Sequence, residues 1–159
     1  MEVSSRHHLR SDAVREIESS LAEAFGIEID AEGAERVEFA DSDVSVVLID
    51  GEPAVTYFDG EPAPTVRGAN AYPPEKRVVT VDAGAVSFVS DGADVMRPGI
   101  VEADEAIESE DLVVIAEETH GKVLAIGRSR VTGSDLAGDS GKVIDSLHHV
   151  GDELYGFTA

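Results

Sequence analysis

The chain has 159 residues, 42% of them apolar, enough to bury a core without covalent staples. It has no cysteine, which excludes disulfides, thiolate metal sites and a cysteine nucleophile. With 33 acidic residues against 12 basic ones, the formal charge is -21, which argues against a polyanionic partner captured by long-range attraction.

The acidity is spread along the chain. Residues 1–75 carry 5 basic and 17 acidic side chains (-12), and residues 76–159 carry 7 and 16 (-9). Lysine is scarce, at Lys76, Lys122 and Lys142 only. This composition fits adaptation to molar cytoplasmic salt. At ~1 M salt the Debye length is about 3 Å, so self-repulsion and distant attraction are both screened. Binding then rests on shape, short hydrogen bonds and stacking. No apolar run approaches the ~18 residues of a membrane span, and "MEVSSRHHLR" lacks the apolar core of a signal peptide. A soluble cytoplasmic protein without a membrane partner is expected.

In chain order, "LRSDAVREIESSLAEAFG" predicts a first helix with Ser11 as N-cap. Val14, Ile17, Leu21 and Phe25 mark its buried face, and Gly26 stops it. A β meander follows, with "VSVVLID" and "AVTYFD" joined through Asp50-Gly51 and a second hairpin signal at Asp59-Gly60. "EPAPTVRGANAYPPEK" is rich in proline and glycine and reads as a linker or irregular packed segment, which puts a domain boundary near Pro74. "RVVTVD" restarts as a strand, and Asp82 caps a short helix in "AGAVSFVS". "DLVVIAEE" and "KVLAIGRSRV" read as strands, and Ser134 as the cap of a one-turn helix in "SDLAG". Short strands, glycine turns and little helix predict a small, mostly β barrel in this half.

Catalytic signatures are missing. There is no Gly-x-Ser-x-Gly elbow, no phosphate-binding Gly-x-x-x-x-Gly-Lys loop and no Gly-x-Gly-x-x-Gly after a strand. Carboxylate pairs such as Glu117-Glu118 or Asp152-Glu153 carry no signal in so acidic a chain. The adjacent pairs His7-His8 and His148-His149 point to opposite faces of a strand and so do not chelate one ion; one histidine of each pair is expected to be packed and the other exposed. No metal or cofactor is expected. "VDAGAVSFVSDGADVMRPGI" instead gathers backbone specialists: Gly84, Gly92 and Pro98-Gly99. They serve equally as plain tight-turn residues or as a rim exposing backbone N–H groups to phosphates or base edges.

These residues resemble the PUA domain, an RNA-binding module. The family pattern of a strand into Asp-x-Gly-Ala, a short helix, Gly-Ala-x-Val-x-x-Pro-Gly, an Ala-x-Gly strand and a closing strand reads here "VDAGAV", "DGADVMRPGI", "LAIG" and "GKVIDSLHHVGDELY". "APTVRGANAYP" and "LHHVGDELY" are also similar to the two-domain malignant T-cell-amplified sequence and translation machinery-associated family, which includes the N-terminal part of ligatin. The resemblance implies an α+β protein of halophilic archaeal type. A small N-terminal α/β meander domain (1–75) would precede a C-terminal PUA-type, mostly β pseudo-barrel (76–159).

It also implies a noncatalytic role on the small ribosomal subunit, through rRNA or tRNA, beside an initiation-factor-like protein partner. Carried onto this chain, the RNA-gripping surface is Gly84, Ala85, Gly92, Ala93, Val95, Met96, Pro98 and Gly99, with at least one of Val95 and Met96 expected to pack in the core. Arg97, Arg128, Arg130 and Lys142 are the nearby candidates for phosphate contacts. Arg128 and Arg130 share a strand parity and so one face. Two other readings stay open: a PUA accessory protein guiding tRNA or rRNA modification by a separate enzyme, and a protein-interaction module.

Overall fold

The computed structural model describes residues 1–159. The first half is a five-stranded antiparallel meander: β1 (Val3–His8), β2 (Ala34–Phe39), β3 (Ser42–Ile49), β4 (Glu52–Phe58) and β5 (Glu61–Pro64), paired in that order. Helix α1 (Ser11–Phe25) covers one face, with Leu21 and Phe25 buried and Val14 and Ile17 packed against the same core. Gly26 ends it in the left-handed region at φ 64°. The N-cap is Arg10, one residue before the expected Ser11, and no side chain caps the helix. Both hairpin signals hold. Asp50 and Gly51 (φ 50° and 89°) and Asp59 and Gly60 (φ 52° and 78°) form two-residue turns with positive φ at both centres.

Two expectations for this half are corrected. The His7-His8 pair does not have one packed member: its strand, β1, is exposed along most of its length because it pairs only with β2 at the sheet edge. His7 and His8 are therefore both exposed. The proline-rich stretch is not a linker: it forms β5 and then helix α2 (Val66–Ala71). Pro62 and Pro64 are tolerated because β5 is the other edge and pairs only with β4. Thr65 Oγ1 accepts from the Gly68 N–H at 2.9 Å, capping α2, and donates to the Pro53 carbonyl at 2.8 Å. Gly68 lies so close to β4 that any Cβ would enter the Ala54 carbonyl.

The second half is a six-stranded sheet in the order β7-β11-β10-β9-β6-β8. Its strands are β6 (Val78–Val81), β7 (Val95–Met96), β8 (Ile100–Ala103), β9 (Leu112–Glu117), β10 (Val123–Ser129) and β11 (Lys142–His149). The edge strands β7 and β8 are joined by a single 3-10 turn, Arg97–Gly99, so the sheet curls into a nearly closed pseudo-barrel. Helix α3 (Val86–Ser90) follows a 3-10 turn at Ala83–Ala85 that Asp82 caps as expected, its Oδ1 accepting from the Ala85 N–H at 3.0 Å. The later 3-10 turn, Gly133–Asp135, has Thr132 at the cap position, not Ser134, and no side-chain cap bond.

Strands β9 and β10 are buried on both faces. Val113, Ile115, Leu124 and Ala125 join the barrel interior, while Leu112, Val114, Ala116, Val123 and Ile126 share one core with Leu21, Phe25 and Val47 of the first half. Strict alternation in β10 fails for this reason, and because bulges at Val123/Ala125 and Ile126/Gly127 shift its parity.

Polar contacts reinforce this joint. Asn70 Nδ2 donates to the Val123 carbonyl (3.1 Å) and its Oδ1 accepts from the Val123 N–H (2.8 Å). His148 is 1% exposed; its Nε2 accepts from the Val66 N–H at 3.0 Å and its Nδ1–H donates to Asp152 at 2.8 Å. Helix α4 (Glu153–Gly156) then returns to the first sheet. There Leu154 and Phe157 cover Val37, Phe39, Val46 and Leu48, with the Phe39 and Phe157 rings edge-to-face at 5.0 Å.

Candidate functional site

An open, mainly apolar groove of about 550 Å³ lies between α3, β7, the Arg97–Gly99 turn and the start of β11. Eight of the twelve residues singled out in the sequence line it: Gly84, Ala85, Ala93, Val95, Met96, Pro98, Gly99 and Lys142. They converge because the chain folds twice within twenty residues. Asp82 N–H donates to the Gly99 carbonyl at 2.9 Å, bringing the start of the helical segment against the turn, and the Ala93 N–H closes α3 onto Phe88 O at 3.0 Å. Glycine at position 99 eases this approach, since a Cβ would stand a tight 3.0 Å from that of Ala85. Val95 is core, at 2% exposure, whereas Met96 is 49% exposed on the groove wall.

The other four predicted residues lie outside the groove. Gly92 (φ 94°) backs onto His149, whose Nε2 would stand 2.6 Å from an added Cβ. Arg97 clips the loop after the Gly133–Asp135 turn, donating through Nε to Asp135 O at 3.0 Å and through Nη1 to Ser140 O at 3.1 Å. Arg128 reaches back to the β4–β5 turn of the first sheet, 3.1 Å from Glu61 and 3.4 Å from Asp59, and its side chain is only 17% exposed. Arg130 bonds Asp145 on the neighbouring strand at 2.8 Å. The shared parity of Arg128 and Arg130 therefore does not make a common free face.

Lys142 is the one cation lining the groove, and it pairs with Asp94 at 3.3 Å. The Ser146 N–H, 2.8 Å from Asp94 Oδ1, and then the Lys142 ammonium hold the Asp94 carboxyl below the usual carboxylate range despite its partial burial. Asp82 is the other charged lining residue, so the groove is apolar with a slight acidic balance. Across the chain nine of the twelve Lys and Arg side chains are ion-paired, leaving Arg15, Lys76 and Lys122, none of which lines the groove.

Sequence reading missed Phe88. It lines the groove and is 67% exposed, in a chain whose aromatic content is only 5%. A five-residue helix is too short for periodicity to show its free face; the only cue was an aromatic directly before the buried Val89. No group of three or more His, Cys, Asp or Glu side chains has the geometry of a metal site.

A nearly closed six-stranded barrel, with a capped short helix and a Pro-Gly turn framing one apolar groove, is the architecture of a PUA domain, here fused to a five-stranded α+β domain. The PUA domain family model matches residues 77–151. A PUA domain protein of Thermoplasma acidophilum has the same two-part fold, with TM-score 0.83 and 30% identity over 95% of this chain and 97% of that one. An uncharacterized protein of Methanocaldococcus jannaschii is 36% identical over 99% of each chain. Translation machinery-associated protein 20 of Saccharomyces cerevisiae is 31% identical over 102 residues, 60% of this chain and 56% of that protein. The chain belongs to the PUA-domain family, with the translation machinery-associated protein 20 and malignant T-cell-amplified sequence 1 proteins among its relatives.

Proposed function

We propose that the protein is a noncatalytic RNA-binding protein of translation. It engages rRNA or tRNA on the small ribosomal subunit during initiation or recycling, in a cytoplasm of high salt and beside an initiation-factor-like partner. The observation that carries this reading is the convergence of eight PUA-type positions on one solvent-open groove, in a chain related along its length to PUA proteins. The relationship to the yeast translation machinery-associated protein 20 supports the link to translation. RNA is held by shape and short contacts, because the arginines near the groove are engaged in holding the fold together.

The test is sedimentation of the tagged protein with native lysate in molar KCl. Travel with the small subunit, lost in the Phe88→Ala/Met96→Ala variant, is the expected result. Migration in light fractions with a modification enzyme would transfer the role to RNA modification, and migration free of RNA would refute the reading.

A further inference from the structure

The two sheets have four edge strands, and three of them are guarded. β7 and β8 curl toward each other across the Arg97–Gly99 turn. β5 carries Pro62 and Pro64, which have no N–H to offer a further strand. β1 is different. It is six residues long, contains no proline or glycine, pairs with β2 alone and is exposed at five of its six residues. Its bulge lies between Val3 and Ser5, so Ser5–His8 is regular. The Leu9 N–H donates to the Ala34 carbonyl at 2.9 Å, which sets the alternation of the ladder. Ser5 and His7 therefore turn their N–H and C=O groups to β2, and those of Arg6 and His8 point away from the sheet into solvent.

The side chains along this edge are cationic in an acidic chain. No acidic residue occurs between Glu2 and Asp12, whereas Arg6, His7, His8 and Arg10 do. Arg6 and His8 share one carboxylate, Glu35, at 2.8 and 3.7 Å. Glu35 lies on the β2 side; the outer side is open, and the His8 side chain is 86% exposed. A second copy would set this row against its own like charges, which is unfavourable. A strand with carboxylates at alternate positions meets it with opposite ones. We propose that β1 is a docking edge for an extended, acidic segment of a protein partner, which adds a sixth strand to the first sheet. Main-chain hydrogen bonds at Arg6 and His8 hold the segment, and its carboxylates face the Arg6 and His8 side chains. No residue of β1 lines the groove, so this docking is independent of the RNA reading.

The experiment uses the full chain at the lowest KCl concentration that keeps it folded. The probes are an eight-residue peptide alternating glutamate with valine, and a twin with lysine in place of glutamate. Affinity and residue-resolved amide hydrogen exchange are measured. The glutamate peptide is expected to bind and to slow exchange at Arg6 and His8, and the lysine twin to bind at least about tenfold more weakly. His8→Pro removes an outward N–H, leaves the ladder to β2 intact and lowers affinity by at least about tenfold. Arg6→Glu keeps the backbone and reverses the preference between the two peptides. Unchanged thermal midpoints verify that both variants fold. Equal binding of the two peptides, or no slowing at Arg6 and His8 with either, overturns the docking assignment. Slowing without peptide that grows with protein concentration and is lost in His8→Pro makes a second copy the occupant and overturns it too. Slowing at these amides by a short single-stranded RNA, and not by peptide, gives the edge to nucleic acid with the same consequence.

Discussion

His148 is the clearest place to test how the two halves are held together. His148→Leu keeps most of the side-chain volume and removes both polar contacts. The Val66 N–H, in a fully buried residue, loses its acceptor, and Asp152 loses a donor at 2.8 Å. An orphaned buried N–H costs about 1–3 kcal/mol, and a hydrogen bond to a charged group is worth about 1.5–3 kcal/mol. The sum is about 2.5–6 kcal/mol, a fall in melting temperature of about 5–24 °C for a chain of this size. Two amide substitutions divide the loss. His148→Asn keeps a donor near the Nδ1 position for Asp152 but leaves Val66 unpaired; His148→Gln places a carbonyl near the Nε2 position for Val66 but abandons Asp152. Each should recover about half of the loss by calorimetry in molar KCl. A loss below about 1 kcal/mol in His148→Leu, or equal melting of all three variants, would refute the bridging role.

The Asp152 carboxyl is pushed up by burial. The hydrogen bond from His148 and those from the His149 and Tyr155 N–H groups outweigh this and bring it down to about 2. A depressed carboxyl stabilises the fold above its unfolded value near ~3.9 and loses that contribution as pH falls toward 2, at most ~2.5 kcal/mol and about 1 once solvent screening at this partly exposed group is allowed for. Acid titration of stability should therefore be shallower in Asp152→Asn between about pH 4 and 2. Gly92→Ala should cost about 1–3 kcal/mol, from its positive φ and the approach of His149, whereas Met96→Ala, with its side chain half-exposed, should stay within about 0.5 kcal/mol by thermal denaturation. Arg128→Ala should lower stability by about 0.5–1.5 kcal/mol, through loss of the Glu61 and Glu110 contacts, while leaving RNA affinity unchanged in a filter-binding assay.

Much of the fold could be read because local chemistry and tertiary role coincide. Asp50-Gly51 and Asp59-Gly60 make the two-residue turns their residues favour, and Asp82 caps the helical segment it precedes. The failures share one cause, a tertiary partner that local sequence does not reveal. Thr65 and Gly68 build α2 only because β4 lies beneath them, so a stretch that looks like a linker becomes the docking element. Strand β10 loses its alternation because a second domain covers its other face. The two arginines at and just beyond the end of that strand look like an RNA-facing pair by parity alone, yet one is drawn to Glu61, 67 positions earlier, and the other to Asp145.

The acidic composition and the groove then bear on one question. A protein that binds RNA through a basic surface must keep cations free. Here nine of twelve are committed to ion pairs, several of them binding distant parts of the chain. Arg97 holds a loop, Arg128 joins the second half to the first, and Lys142 tethers Asp94, whose carboxylate in turn accepts from the Ser146 backbone. The positive charge has become internal scaffolding, and the exposed Phe88 and Met96 are what the groove has left to offer. Recognition by stacking keeps its strength at salt concentrations that screen phosphate attraction. A surface of -21 and cations committed to the fold leave the apolar wall of the groove, and not free positive charge, as its means of contact.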